Sequence, residues 1–501
     1  MTARLSVVDE IFLRTHRGLG TPIVLQGVWR TAERVPVGVL WALREGLRTG
    51  ELGRRVRSAR VPGARRAWVR NVRGLPLVLY GVIPVAGLLD WADARGGELD
   101  PSRGPGWRLA YAPLADGGAV VSLTCSHVLA DGRALVLAAD HALRGVAGEV
   151  EALPLDARGD WADARRQWSV VLEGTGRAWW NRVRTEMARG VRRVVEATGS
   201  TRRADEAVAP RPRSALAVAT RPTVALPRTA GRAALPTADE PLPDPGVPRA
   251  QPRRPAETLA RNALPADRRA PRLRTSSAGT GNTSSGGTGN ATVTLVAQSP
   301  SETWDSIATN SGGTPNSLFV AVIAHTLWEL GYQPDELTAS LPVDTRAEPR
   351  VDNDLAVTAV RITRSDTPKE LREKARAAYE YRMTSPAGIP EEILQVIPDR
   401  LAHTLAAGAG ERDILCSNIG PLPDSIGALG PSRCTGMAAR AIHPGLRRDR
   451  LPRTRLAGYL CHLDGEYTLA LVSLEPERSR AELRAALLRA AEPFGLPLTP
   501  W

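Results

Sequence analysis

From Gly199 to Gly289 the sequence turns to Pro, Arg, Ala, Ser and Thr without hydrophobic periodicity, and it ends in Ser276-Ser277-Ala278-Gly279-Thr280-Gly281-Asn282-Thr283-Ser284-Ser285-Gly286-Gly287. Such a segment cannot bury enough apolar surface to offset the entropy of ordering it, so it is expected to be disordered. The chain then divides into an N-terminal half, 1–198, a tether, 199–290, and a C-terminal half, 291–501. With 501 residues in all, each half is long enough to bury a core of its own.

The tether also changes how the charge is read. A formal net charge of +13 would attract polyanions. Nearly all of it is arginine, with lysine only at 369 and 374, and about fifteen of the arginines lie in the tether against about seven acids. The folded halves keep a modest excess, no nucleic-acid-binding motif accompanies it, and no nucleic-acid partner is expected. Cys125, Cys416, Cys434 and Cys461 show no C-x-x-C spacing, which predicts reduced thiols in a cytoplasmic protein and no metal site. Met1 to Gly18 mixes Arg4, Asp9, Glu10 and Arg14 into its apolar residues, unlike a signal peptide. The most apolar stretch, Leu75 to Leu89, is broken by Pro76, Gly81, Pro84 and Gly87, so it reads as two buried strands joined by a turn and is too short to span a membrane.

Apolar spacing predicts a helix over Leu5 to Thr15 and a strand over Pro22 to Trp29. From Ala119 to His127 the residues alternate, with Ala119, Val121, Leu123, Cys125 and His127 on one face of a strand and Val120, Ser122, Thr124 and Ser126 on the other. His127 therefore projects from a strand end on its apolar side. Asp131-Gly132 is a turn, and Arg133 to Arg144 has helical spacing. Asp160 to Glu196 combines Trp161, Trp168, Trp179 and Trp180 with many arginines; it fits either an interfacial helix on anionic lipid or a bundle packing its tryptophans inward.

In the C-terminal half, Ala291 to Ala297 reads as a strand and Thr303 to Asn310 as a helix. Pro315 opens an apolar helix over Ser317 to Leu330, and Leu456–Leu463 and Glu466–Leu474 flank Asp464-Gly465 as a hairpin. A closing helix is expected from Ser479 to Glu492. Helices and strands mixed in both halves, without regular β-α-β repetition, predict an α/β sandwich of two related lobes.

A histidine at a strand end in an apolar cavity suits a general base, because its ordinary pKa of about 6.5 leaves it mostly neutral near pH 7. General-base catalysis supplies on the order of 10²- to 10⁴-fold, so positioning and oxyanion stabilisation must accompany it. Asp131 could pin the turn by pairing with an arginine, and Gly132 would let another chain approach the backbone closely. Equally, Asp131 could cap the following helix and His127 be a satisfied core histidine. No Gly-x-Ser-x-Gly elbow and no Walker A loop occurs. Cys125 shares the face of His127 but sits in an apolar alternation typical of an inert thiol.

Ser126-His127-Val128-Leu129-Ala130-Asp131-Gly132 resembles the His-x-x-x-Asp-Gly signature of the superfamily containing chloramphenicol acetyltransferase, nonribosomal peptide condensation domains and the bacterial wax ester synthase/diacylglycerol acyltransferases. The last family matches further. Its opening pattern is similar to Leu5-Ser6-Val7-Val8-Asp9-Glu10-Ile11-Phe12-Leu13, and its Gly-x-Thr-x-Asn-Asp pattern resembles Gly312-Gly313-Thr314-Pro315-Asn316-Ser317. Leu341-Pro342-Val343-Asp344-Thr345-Arg346, with Asn353 downstream, and Cys416-Ser417-Asn418-Ile419-Gly420-Pro421 resemble two later segments in the same order. Two departures stand out: Ser126 replaces the first of a histidine pair, and Ser317 replaces an aspartate.

The resemblance implies an α/β fold of two chloramphenicol-acetyltransferase-like lobes with an active-site tunnel between them. It implies an O-acyltransferase with catalytic His127, Asp131 and Gly132. His127 would deprotonate an alcohol that attacks an acyl-CoA thioester directly. Acyl-CoA would be a co-substrate rather than a bound cofactor, and a lipid-like alcohol or diacylglycerol the acceptor. Ser417, Asn418 and Asn316 are candidates for the oxyanion or tunnel wall, with a plain polar turn as the alternative for the first two. Arg346 is the candidate partner of Asp131, although exposure is the commoner fate of an arginine. The departures leave room for an inactive paralogue acting as a lipid-binding scaffold, and the superfamily for a condensation-like enzyme using carrier-protein thioesters. The expected location is the cytoplasm, with weak peripheral association at the inner membrane or lipid droplets through the Trp/Arg region.

Overall fold

The computed structural model describes residues 4–19, 21–71, 77–146, 159–173, 292–380, 395, 397–401, 411–446, 448–449, 451–475 and 477–501. All of them belong to one compact unit, Met1–Thr175 with Arg254–Trp501. The tether, both of its expected boundaries, and Trp179 and Trp180 lie outside the described residues.

The strands in chain order are β1 (Val24–Thr31), β2 (Arg54–Arg57), β3 (Ala67–Arg70), β4 (Val78–Leu79), β5 (Trp107–Pro113), β6 (Ala119–Ser126), β7 (Val293–Pro300), β8 (Glu336–Asp344), β9 (Leu355–Thr363), β10 (Ile414–Pro421), β11 (Ala428–Leu429), β12 (Ser432–Ile442), β13 (Leu456–Leu463), β14 (Glu466–Ser473) and β15 (Thr499–Pro500). The helices are α1 (Val7–His16), α2 (Val37–Thr49), α3 (Leu88–Asp93), α4 (Gly132–Arg144), α5 (Ser301–Asn310), α6 (Pro315–Glu329), α7 (Pro368–Glu380) and α8 (Arg480–Ala491), with a further helical stretch at 159–173.

Two large sheets result, ordered β11-β12-β1-β6-β5-β4 and β15-β7-β14-β13-β10-β8-β9, and β2 and β3 form a small ribbon. The expected α/β architecture is present in both halves. The sheets do not follow the division of the chain, however. Strand β12, from the C-terminal half, pairs antiparallel with β1 from Val24↔Ile442 to Arg30↔Gly436. Its run of small apolar residues, Met437 to Ala439 with Ala441 and Ile442, is buried and gives β1 a second partner that the N-terminal half does not supply. One half thereby completes the other's sheet.

Local chemistry sets the element ends. Ser6 and Asp9 form a capping box on α1, Thr314 and Ser317 on α6, and Ser479 and Glu482 on α8, each satisfying helix-start amides that would otherwise lack partners. Asp464 and Gly465 take positive φ values of 49° and 78°, the turn that joins β13 to β14 in a two-residue hairpin. Helix α6 is buried all round, from Leu318 to Ala324 and again at Leu327 and Trp328, as a helix without a polar face must be.

Two expectations are corrected. Leu75–Leu89 is no pair of buried strands: of its described residues only Val78–Leu79 forms a strand, Val82 is exposed, and the chain turns helical from Val85, while 75–76 lie outside the described residues. Pro76 and Pro84 lack a ladder donor, and Gly81 and Gly87 weaken strand pairing by their backbone freedom and missing side chains. Strand β6 is buried on both faces, all eight residues included. Ser122 and Thr124 lie inside because Ser122 Oγ accepts from Gln26 Nε2 at 2.9 Å and Thr124 Oγ1 donates to the Arg108 carbonyl. On the 159–173 helix Trp161 and Trp168 are exposed, so these two do not pack inward.

Helix α6 sits so close to β13 that a Cβ on Gly458 would lie 2.5 Å from Ile323 Cδ1 and 3.2 Å from Phe319. Gly458→Val is expected to destabilise the fold by about 1–3 kcal/mol through overpacking, read as a lowered urea midpoint.

Candidate active site

The chain leaves β6 at Ser126, turns through His127–Ala130 and enters α4 at Asp131. Asp131 is the helix N-cap, its Oδ1 accepting from the Ala134 amide at 2.9 Å. The other oxygen, Oδ2, is bound by Arg346 Nη2 and by the Asp354 amide at 3.2 Å. Arg346 is nearly fully buried, its side chain 4% exposed, and its Nη1 also pairs with Asp344 Oδ1 at 2.8 Å. The capping and pairing readings of Asp131 thus hold together, and Arg346 does not have the exposed fate. Burial lowers the pKa of Arg346, but the neighbouring Asp131 and Asp344 carboxylates outweigh it and hold the guanidinium above its ordinary value.

Further groups grip the turn from outside. Asn353 Nδ2 lies within donating distance of the His127 carbonyl (2.8 Å), the Val128 carbonyl (3.0 Å) and Asp9 Oδ1 (2.8 Å). Arg54, fully buried on β2 and stacked over Trp68, donates to the Leu129 carbonyl at 2.6 Å and the Val351 carbonyl at 2.9 Å. Phe12 of α1 stacks on the His127 ring with centroids 3.6 Å apart. The histidine is therefore oriented by α1, by β2 and by the 345–354 segment together.

The imidazole borders a cavity of about 510 Å³, within the range of small-molecule sites, whose walls include Phe12, Leu25, Trp29, Leu123, Val136 and Tyr459. Burial pushes the pKa of His127 below its ordinary value; the Asp131 charge, its own carbonyl and Asn353 oppose this and do not overcome it. Its Nδ1 is buried and has no hydrogen-bond partner among the described residues. Near pH 7 the ring is neutral, as a base must be.

Gly132 also borders the cavity, and a Cβ there would meet Ile419 Cδ1 at 2.6 Å, so its small size admits a residue of β10. Ser417 and Asn418, on the same strand, also line the cavity. The Asn418 amide is engaged: Oδ1 accepts from the Gly420 amide at 2.9 Å and Nδ2 donates to Asn316 Oδ1 at 3.1 Å. Ser417 makes no side-chain hydrogen bond among the described residues. Asn316 is outside the cavity wall and reaches it only through Asn418, which corrects its placement as a tunnel residue.

The two departures from the resembled pattern fall away from the reacting face. Ser126 is fully buried on the face of β6 opposite His127 and does not border the cavity. Ser317 Oγ accepts from the Thr314 amide at 2.8 Å, the capping role a carboxylate could fill.

Sequence reasoning passed over Arg54 and His443 and noted Asp9 and Asn353 only as parts of patterns. Asp9 is buried and held above the ordinary carboxylate range by that burial, with the Asn353 hydrogen bond working against it. Among the described residues no group of His, Cys, Asp and Glu has the arrangement of a metal site, and no helix is long and apolar enough to cross a membrane. The four cysteines form no disulfide.

The fold, though not the site, can be compared with solved structures along nearly the whole chain. The first condensation domain of the CDA synthetase superposes with a TM-score of 0.51 at 13% identity, covering 99% of this chain and 95% of that one. The first condensation domain of the calcium-dependent antibiotic synthetase, in complex with a substrate analogue, gives 0.51 at 14%, covering 99% and 96%. The chain has a condensation-domain fold. The wax ester synthase/diacylglycerol acyltransferase from Marinobacter aquaeolei VT8 is also similar, with a TM-score of 0.48 at 14% identity over 98% of this chain and 100% of that one. No protein-family model and no curated protein matches the sequence.

Within this condensation-domain fold, Asp131 and Arg346 tie the His127–Asp131 turn to the C-terminal half. Arg346→Met is expected to lower stability by about 3–5 kcal/mol, because it leaves the Asp131 charge buried without its partner. Adding Asp131→Asn should restore part of that loss; simple additivity in urea unfolding would show the two are not coupled.

Proposed function

We propose that the protein is an acyl-CoA-dependent O-acyltransferase that moves a fatty acyl group to a lipid-like alcohol or diacylglycerol. The observation that carries this reading is the neutral, oriented imidazole of His127 at the wall of an apolar cavity.

The acceptor O–H donates to His127, and as the proton passes to the imidazole the oxygen attacks the thioester carbonyl. The C–O bond forms, the tetrahedral oxyanion collapses, the C–S bond breaks, and the leaving thiolate takes the proton back from the imidazolium. No acyl-enzyme is needed. Ser417, with an uncommitted hydroxyl at the cavity wall, is the oxyanion donor this scheme favours over Asn418, whose amide is already used. Asp131 positions the base through the backbone, since its oxygens are engaged by Ala134, Asp354 and Arg346. Gly132 keeps the turn open to its neighbours.

The test is ester formation from palmitoyl-CoA and a panel of long-chain alcohols and diacylglycerol, followed by CoA release and by mass of the product. The parent should release CoA only with an acceptor present. His127→Ala should fall by 10²-fold or more at equal folded content, and Ser417→Ala by about 10-fold or more. Acceptor-dependent release that survives His127→Ala would remove the mechanism. Binding of palmitoyl-CoA without turnover by the parent would favour a scaffold, and turnover only with an acyl-phosphopantetheinyl carrier would favour a condensation-like enzyme.

A further inference from the structure

A second histidine, His443, borders the same cavity at the end of the crossing strand β12. In the last paired row Val24 of β1 lies between Ser126 on one side and Ile442 on the other. One step further along, His127 and His443 therefore flank Ile23, on the same face of the sheet. Two strand spacings separate their backbones by roughly 10 Å. His443 is 8% exposed, and its Nδ1 lies 2.8 Å from the Pro22 carbonyl. A carbonyl only accepts, so Nδ1 carries the hydrogen and Nε2 is left as a fixed acceptor. Among the described residues Nε2 has no hydrogen-bond partner. Burial drives the pKa of His443 down to about 4, with the Pro22 hydrogen bond opposing and the neighbouring His127 adding to the fall. The ring is thus neutral over the physiological range and cannot serve as an anion site.

We infer that His443 is a positioning residue which accepts a hydrogen bond from a second O–H or N–H of the acceptor, while the reacting hydroxyl sits at His127. The inference rests on the acyl-transfer reading and narrows its acceptor class. A simple long-chain alcohol, or a diacylglycerol, has one donor and leaves His443 Nε2 unmatched. A lipid diol, a monoacylglycerol or a hydroxylated amide has a second donor a few bonds away. An acceptor nitrogen fixed in a mostly apolar wall discriminates between such ligands, because the mismatched one leaves a buried polar atom unpaired. The second histidine thus reads the acceptor, and the first activates it.

The experiment compares 1-dodecanol with dodecane-1,2-diol and dodecane-1,4-diol, in the parent, His443→Phe and His443→Gln, all in the full chain. With palmitoyl-CoA, at least one diol should exceed 1-dodecanol about tenfold in kcat/KM, chiefly through KM. His443→Phe should erase that preference, bringing diol and 1-dodecanol to equal kcat/KM, and His443→Gln, which keeps an acceptor oxygen, should restore part of it. Calorimetric binding of the same alcohols without acyl-CoA gives a readout independent of turnover: the parent should bind the favoured diol about tenfold tighter than 1-dodecanol, and His443→Phe should not. Diol-selective binding by a protein with no transferase activity would uphold His443 and defeat the acyl-transfer reading. Equal treatment of diol and mono-alcohol by the parent, or a diol preference unchanged in His443→Phe, would overturn the inference and leave acyl transfer standing.

Discussion

The salt bridge between Asp131 and Arg346 joins the turn that carries His127 to a loop more than two hundred residues later in the chain, and the geometry of the cavity depends on it. Both side chains are buried, so neither charge is tolerable alone. Asp131 must at the same time cap α4, which fixes where the helix begins, while Asn353 and Arg54 take up the carbonyls of the turn. The polar groups of this turn are thus largely spent on one another. What is left facing the cavity is the imidazole, in surroundings that favour its neutral form.

The same dependence appears at the level of sheets. Strand β12 leaves the C-terminal half to pair with β1, and with it come Met437, Ala439 and Ala441 as cavity wall and His443 at the end of the strand. The cavity is accordingly built by both halves.

Much of the fold was legible because the relevant signals are local. The helix over Leu5 to Thr15, the strand before Trp29, the strand-turn-helix around His127 and the Asp464-Gly465 hairpin follow from period and turn chemistry that the structure reproduces within two residues. The crossing of β12 was not legible, since nothing within Ser432–Ile442 says which sheet it joins. Leu75–Leu89 misled because apolar content was weighed above its prolines and glycines. In the site, His127 and Asp131 were visible through their spacing, and Arg346 only through its place in a resembled pattern. Arg54 was hidden in an arginine-rich run that reads as a solvated face, and its burial comes from Trp68 and two distant carbonyls. His443 was hidden because an isolated histidine at a strand end carries no pattern; only the register across β1 sets it beside His127.

The central claim is that burial in the cavity holds His127 neutral and ready to accept a proton. It is tested most directly by following the His127 side-chain resonances through a pH titration, assigned by their loss in His127→Ala. The account predicts a midpoint below the ordinary value of about 6.5 and a predominantly neutral ring at pH 7. A midpoint at or above that value, with a substantial imidazolium population at pH 7, would contradict it.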